Sequence, residues 1–210
     1  MTTKTLFLRF FLFFVAYLLL IGCFTLQPLQ QGAMTVYAKG ARSFLSLCLP
    51  KAFIRVERNT NPRTALRVLY NDKEQVMAQI EEGNRRGVRN IQVPLEEFNI
   101  LFPEFFLYSA LFFICLVAIT PLDLRSKIFA FATGLFLLIL FSWLKLLCYT
   151  LYHTTNKPIG IYEMTGWAKQ FVTNVYVHLK VGIGFLVAVL VWAAVAVSRA
   201  NWRQLLAAMG

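Results

Sequence analysis

Four long apolar runs, separated by short gaps that carry Lys and Arg, constrain this chain more than any other feature of it. Residues 10–26, 105–120, 128–150 and 181–197 are each nearly free of charge. With their flanks they approach the ~20 residues that a helix needs to cross about 30 Å of hydrocarbon. The pattern predicts a membrane α-helical protein with four transmembrane helices, and it removes most soluble-enzyme folds from consideration. Composition agrees. Charged residues make up 15% of the chain and hydrophobic ones 58%, whereas a soluble domain carries about 25% charged residues.

The net charge of +11 at pH 7 raises nucleic acid as a partner. The positions of the charges argue against it. Lys4 and Arg9 precede the first run, Arg125 and Lys127 lie between the second and third, and Arg199 and Arg203 follow the fourth. The positive-inside rule and anionic lipid headgroups account for these placements, so membrane lipids rather than nucleic acid are the expected partners. An in-to-out first helix puts all three basic clusters in the cytoplasm. The chain is then expected in the plasma membrane with both termini cytoplasmic and residues 27–102 external. That segment holds about half of the basic residues, but segments longer than roughly 60 residues translocate regardless of charge. The expected organisation is an N-terminal transmembrane helix over 1–26, an external segment over 27–102, a three-helix transmembrane region over 103–198 and a cytoplasmic tail over 199–210.

The external segment changes period along its length. Residues 40–49 (GARSFLSLCL) suit a short interfacial helix that Pro50 ends. Residues 52–58 (AFIRVER) and 64–70 (TALRVLY) alternate and carry β-branched residues, which predicts strands, with a turn at 59–62 (NTNP) between them and another at 71–73. Residues 75–82 fit either a strand or a helical turn. The turn composition of 83–87 (GNRRG) predicts a hairpin into a third strand at 88–93 (VRNIQV). A small antiparallel β-rich segment between the first and second transmembrane helices follows. About 45 residues are few for an independent core, so the segment is expected to rest on the interfacial helix or on the ends of the spans.

Ionisable groups at membrane depth are functional candidates by default. Glu104, Lys145 and His178 fall at similar depth near the outer ends of their spans, as does Lys180. The first three form a candidate polar cluster; the competing reading is that each side chain reaches the interface separately. Arg85, Arg86 and Arg89 form a basic knot at the predicted hairpin turn. They read either as a contact for lipid phosphate, anionic glycan or an acidic partner, or as a solvated turn facing headgroups. Cys23 closes Leu20-Ile21-Gly22-Cys23, which has the form of a lipoprotein cleavage box, and is a candidate lipidation site. The alternative is an uncleaved first helix with an incidental cysteine. Cys48 and Cys148 fall near one membrane face, which allows a disulfide. Cys148 and His153, five apart, are a conceivable nucleophile pair.

No metal site and no cofactor are expected. The four cysteines lack metal-ligand spacing, there are two histidines, and no phosphate-binding loop, zincin or nucleophile-elbow motif occurs. The run of intramembrane carboxylates that an ion-coupled transporter needs is also missing, which ranks a channel or transporter third among the functions.

Residues 99–121 (NILFPEFFLYSALFFICLVAITP), the basic turn at 123–127 and the third run ending in Trp143-Leu144-Lys145-Leu146-Leu147 carry a family likeness. In these the chain resembles the small membrane proteins encoded beside exosortases, the exosortase H-associated type. The resemblance implies one N-terminal span, an external segment of short strands and three further spans. It also implies an accessory role, without catalysis, in sorting surface proteins that bear a C-terminal membrane signal. Exosortases themselves use a Cys in an Ala-Cys-Ser-Gly context. Cys115 lies in Phe113-Ile114-Cys115-Leu116, without that context. The expected function is therefore that of an accessory protein bound to a larger multi-pass membrane protein. The alternative is an outer-leaflet lipid-handling protein or membrane enzyme built on Glu104, Lys145 and His178.

Overall fold

The computed structural model describes residues 3–59, 64–87, 93–156, 161–162, 164–180 and 182–197. In chain order they form α1 (Thr3–Thr25), α2 (Gln27–Cys48), β1 (Ala52–Arg58), β2 (Ala65–Asp72), α3 (Lys73–Arg85) and β3 (Glu96–Leu101). A π-helical turn, Pro103–Leu107, leads into α4 (Tyr108–Ile119). Then come α5 (Leu124–Asn156), α6 (Gly166–Lys180), α7 (Gly184–Trp192) and a second π-helical turn, Ala193–Val197. The chain divides into two compact units. One comprises Met1–Gln30, Pro103–Ser142 and Gly182–Gly210; the other comprises Gln31–Phe102 and Trp143–Val181.

The first unit is helical and is organised around α4. Ser109, Ala110, Leu111, Phe113, Cys115 and Val117 of that helix are buried, and α1 and α7 pack on it. Phe112 receives the rings of Phe13 at 5.3 Å, Tyr17 at 5.7 Å and Phe185 at 5.4 Å, all near-perpendicular. Phe113 points into a core with Val117, Ala130, Leu138, Ala188 and Val195. Its ring occupies the space where Gly134 of α5 has no side chain; a Cβ there would overlap it. Gly184 admits Ser109 in the same way. Small residues at helix contacts let backbones approach closely, which drives association where the hydrophobic effect is weak.

Local chemistry ends α4 and starts α5. Thr120 is extended because Pro121 follows it, and a residue before proline is disfavoured in the α region. Its hydroxyl donates to the Leu116 carbonyl at 2.6 Å and accepts from Trp192 Nε1 at 2.9 Å. The Asp123 carboxylate accepts the Ser126 amide at 3.1 Å, an N-cap for α5. Lys127 Nζ reaches back to the Ala118 carbonyl at 2.9 Å. The Ser126 hydrogen bonds hold the Asp123 carboxyl below its ordinary value of 3.8.

The second unit holds a three-stranded antiparallel sheet in the order β1-β2-β3. The register places Val56 opposite Val68 and Val68 opposite Phe98. Ile54, Val56, Leu66, Val68, Tyr70, Phe98 and Ile100 therefore share one face, and all are buried. The other face carries Arg55, Glu57, Arg67, Glu97 and Asn99. At the end of β2, Asp72 caps α3 by accepting the amides of Glu74 and Gln75 at 2.7 and 3.2 Å. Gly40 of α2 lies under the indole of Trp143 on α5, leaving no room for a Cβ, and Phe44 stands 5.7 Å from the same ring system.

β1 and the stop before Pro50 lie where the alternation and the proline place them. β2 runs on to Asp72, so Asn71 and Asp72, expected in a turn, pair with Phe53 and Ala52 instead; residues 60–62 of the other expected turn lie outside the described residues. Three further expectations change. The helix before Pro50 is the whole of Gln27–Cys48, not the short piece at 40–49. The ambiguous stretch 75–82 is helical, within α3. The third strand is Glu96–Leu101 rather than 88–93. Val93 is not in a strand, and residues 88–92 lie outside the described residues. Pro94, with no amide N–H to give a ladder, precedes β3, and it is Phe98 and Ile100 that the register turns to the buried face. Among the described residues, one helix alone, Leu124–Thr155, is long and apolar enough to cross a membrane, or up to three if each of two helix pairs, bent at a short break, counts as one span. Pro103–Ile119 is a shorter apolar helix. All four cysteines are free.

Gly134→Ala is expected to lower stability by about 1–3 kcal/mol through overpacking against Phe113. Gly32→Ala, where a Cβ meets nothing within 4 Å, is expected to be neutral or to stabilise by about 0.5–1 kcal/mol from helix propensity. Thermal unfolding of both variants in one detergent checks the pair. Because the Asp123 carboxyl is depressed, its capping contribution is present above its ordinary value and fades as pH falls through the folded one. Asp123→Asn should accordingly melt lower than the parent at neutral pH, with the gap closing below pH ~3.8.

Candidate functional site

The second half of α5 carries the unusual chemistry of the second unit. Lys145 is only 6% exposed. Its ammonium stands 5.9 Å from the centroid of the Tyr149 ring, within cation–π range. Residues 149, 152 and 153 follow on at helical spacing, so their side chains form one stripe. Tyr176 of α6 stacks on Tyr152 at 3.9 Å with the rings 3° from parallel, and meets Tyr149 edge-on at 4.6 Å. His153 stacks on Phe98 of β3 at 4.4 Å, and its edges face Tyr152 and Tyr176 at 5.6 and 6.1 Å. A column of one ammonium, three tyrosine rings and one imidazole thus joins α5 and α6 to the buried face of the sheet. Thr150 and Thr154 on the same helix are buried, and their hydroxyls donate to the carbonyls of Leu146 at 2.9 Å and Leu151 at 3.0 Å.

The buried lysine is held by its packing and by the neighbouring tyrosine face. Cys148 and His153 do not make a nucleophile pair on this helix: five residues apart, they project about 140° away from each other.

The other predicted residues are placed separately. Glu104 is exposed in the π-helical turn Pro103–Leu107 and belongs to the first unit. Lys145 and His178 belong to the second. His178 is exposed on α6, with Nδ1 2.7 Å from the Asn174 carbonyl, so its ring is tied to its own helix. Lys145 and His178 therefore have different surroundings. Arg86 caps the C-terminal end of α3 and pairs with Glu82. Arg85 is exposed in the last turn of that helix, and Arg89 lies outside the described residues. Arg85 and Arg86 thus lie at the end of a helix. Cys23 is exposed in the last turn of α1. Lys180 ends α6.

Two arrangements were not foreseen from the sequence. One is the aromatic column, whose signal was the Tyr149, Tyr152, His153 spacing one turn beyond Lys145. The other is a charge clamp on the polar face of the sheet. Arg67 pairs with Glu57 at 2.5 Å and with Glu97 at 3.3 Å, and Arg55 pairs with Glu57 at 2.9 Å. The hydrogen bond to Glu57 raises the Arg67 guanidinium above its ordinary value. Among the described residues no group of three or more His, Cys, Asp or Glu could hold a metal ion. No protein-family model, curated protein or solved structure matches the chain.

Lys145→Met keeps the length of the side chain and removes the buried charge. A buried charge carries a desolvation cost that an apolar side chain of similar volume does not. The melting temperature in detergent is expected to hold or rise. A fall would show that the ammonium supports the fold through its contacts.

Proposed function

We propose that the chain is an integral protein of the bacterial inner membrane and a non-catalytic accessory of an exosortase-type protein-sorting system. In this reading it crosses the membrane four times, with both termini cytoplasmic and residues 27–102 external. The burial of α4 among α1, α5 and α7 favours a crossing by the short second run. A helix enclosed by protein has its backbone and side chains satisfied without reaching hydrocarbon along its whole length.

The observation that carries the accessory role is the sheet. Its apolar face is buried within its own unit, while β1 and β3 are its edge strands among the described residues. An edge strand presents backbone donors and acceptors that an extended segment of another protein can pair with. A sorting client presenting an extended tail, or a loop of the larger enzyme, has the form that such an edge receives.

A second reading is favoured by the burial of Lys145. A charge held at membrane depth is costly, and its retention suits an outer-leaflet lipid-handling protein or membrane enzyme. The two readings separate in the cell. Activity lost on Lys145→Ala or Glu104→Gln at unchanged expression belongs to the second.

A mild-detergent pull-down of the tagged chain from its native membranes, with mass spectrometry, tests the first. The expected outcome is a stoichiometric, larger multi-pass protein of exosortase type. A chain that purifies alone, with lipid only, overturns it.

A further inference from the structure

We infer that the cleft where the end of α2 meets the starts of β1 and α3 is a binding site for a phosphate group carried on a hydroxylated molecule. Two cavities adjoin there and share Pro50 and Lys73. The smaller, of about 200 Å³, is lined by Arg42, Ser46 and Lys73 with the apolar wall of Phe53 and Ile54. No carboxylate lines it. Two observations point to an anion, and a third says which groups are left to hold it.

First, Arg42, Lys51 and Lys73 are in no ion pair among the described residues, although carboxylates are close in sequence. The guanidinium groups of Arg55, Arg67 and Arg86, in the same unit, are each committed to a glutamate. Second, the hydroxyl of Ser46 is left available. Thr35 and Ser43 on the same helix donate to the carbonyls four residues back, Gln31 and Lys39, which is the ordinary behaviour of such residues in a helix; Ser46 makes no such bond among the described residues. Third, the amides at the start of α3 are already taken by the Asp72 side chain. The anion seat is thus made by side-chain cations and a hydroxyl, in the manner of charge-assisted phosphate recognition.

The larger cavity, of about 580 Å³, supplies the rest of the ligand's environment. Lys51 and Lys73 line it together with Asp72, Glu74, Met77 and Ile161. Carboxylates set beside a phosphate seat would repel a second phosphate and accept hydrogen bonds from hydroxyl groups. That combination selects a polyol phosphate, such as glycerol phosphate. It has two sources, the headgroup of a membrane phospholipid or a free metabolite. The inference stands independently of the accessory role.

Calorimetric titration of the purified full chain in a neutral detergent tests it. The probes are glycerol 3-phosphate, a short-chain phosphatidylglycerol and glycerol. Glycerol 3-phosphate is expected to bind and glycerol is not. Arg42→Gln and Lys73→Gln are each expected to weaken binding about tenfold, the loss of one charge-assisted hydrogen bond. Phosphatidylglycerol binding at least tenfold tighter assigns the lipid source, and equal affinity assigns the free one. Acetylation of the wild-type chain, read by mass spectrometry, gives a measure that needs no variant: ligand is expected to protect Lys73 and to leave Lys39 reactive. Failure of both phosphates to bind, binding unchanged in the double variant, or equal acetylation with and without ligand overturns the assignment.

Discussion

The contact of the Phe113 ring with the bare backbone at Gly134 is the constraint on which the helical unit depends. An aromatic ring that is fully buried needs a cavity of its own shape, and a helix surface of ordinary side chains offers none. Glycine supplies one without breaking α5, because the long apolar helix around it carries the propensity cost. Once the ring is seated, Val117, Ala130, Leu138 and Ala188 close over it. The same device recurs at Gly184 with Ser109, and in the other unit at Gly40 with Trp143. Helix packing in this chain is therefore shape-driven at three glycines rather than driven by large apolar stripes. That is the economy expected where the surroundings are themselves apolar and burial alone gains little.

The sheet unit follows a different rule. Its edge strands alternate, so one face is committed to the interior while the other carries the charged groups, with Ala65 and Leu69 of the central strand buried on that face as well. Arg67 sits on the central strand between acidic partners on both neighbours, and cross-strand pairs of opposite charge fix register on an exposed face. A slip of one residue would turn Phe98 and Ile100 outward and Glu97 and Asn99 inward, a penalty that makes the observed pairing the one stable register. Packing of Phe98 against His153 then ties the sheet to α5. The interior of this unit is thus rich in rings, and Lys145 stands beside one of them, the face of Tyr149.

Much of this was legible in the sequence, and the misses have physical causes. The apolar runs and both strands of the first hairpin were read from period, and the stop before Pro50 from proline chemistry, which act locally. The helix Lys73–Arg85 was not, because it buries Val76 alone and its few apolar residues, Val76, Met77 and Ile80, are too short a run to separate a helical turn from a strand. It is set instead by the Asp72 cap. The third strand was displaced because Phe98 and Ile100 abut the apolar run that follows and merge with it on paper. The polar cluster was drawn from depth along each span. Depth is one coordinate of three: it says nothing of the direction in which a side chain leaves its helix, and Lys145 and His178 leave theirs into different surroundings. The aromatic column is the converse case. Its members come from α5, α6 and β3, and only the fold adds Tyr176 and Phe98 to the stripe on α5.

The clamp on the polar face of the sheet has an electrical result. Arg55 and Arg67 offset Glu57 and Glu97, so this face is neutral within a chain of net charge +11. Long-range attraction toward polyanions acts elsewhere on the molecule. A contact made on this face would rest on shape and local hydrogen bonds, and would keep its strength across ionic strengths that dissolve a charge-steered one.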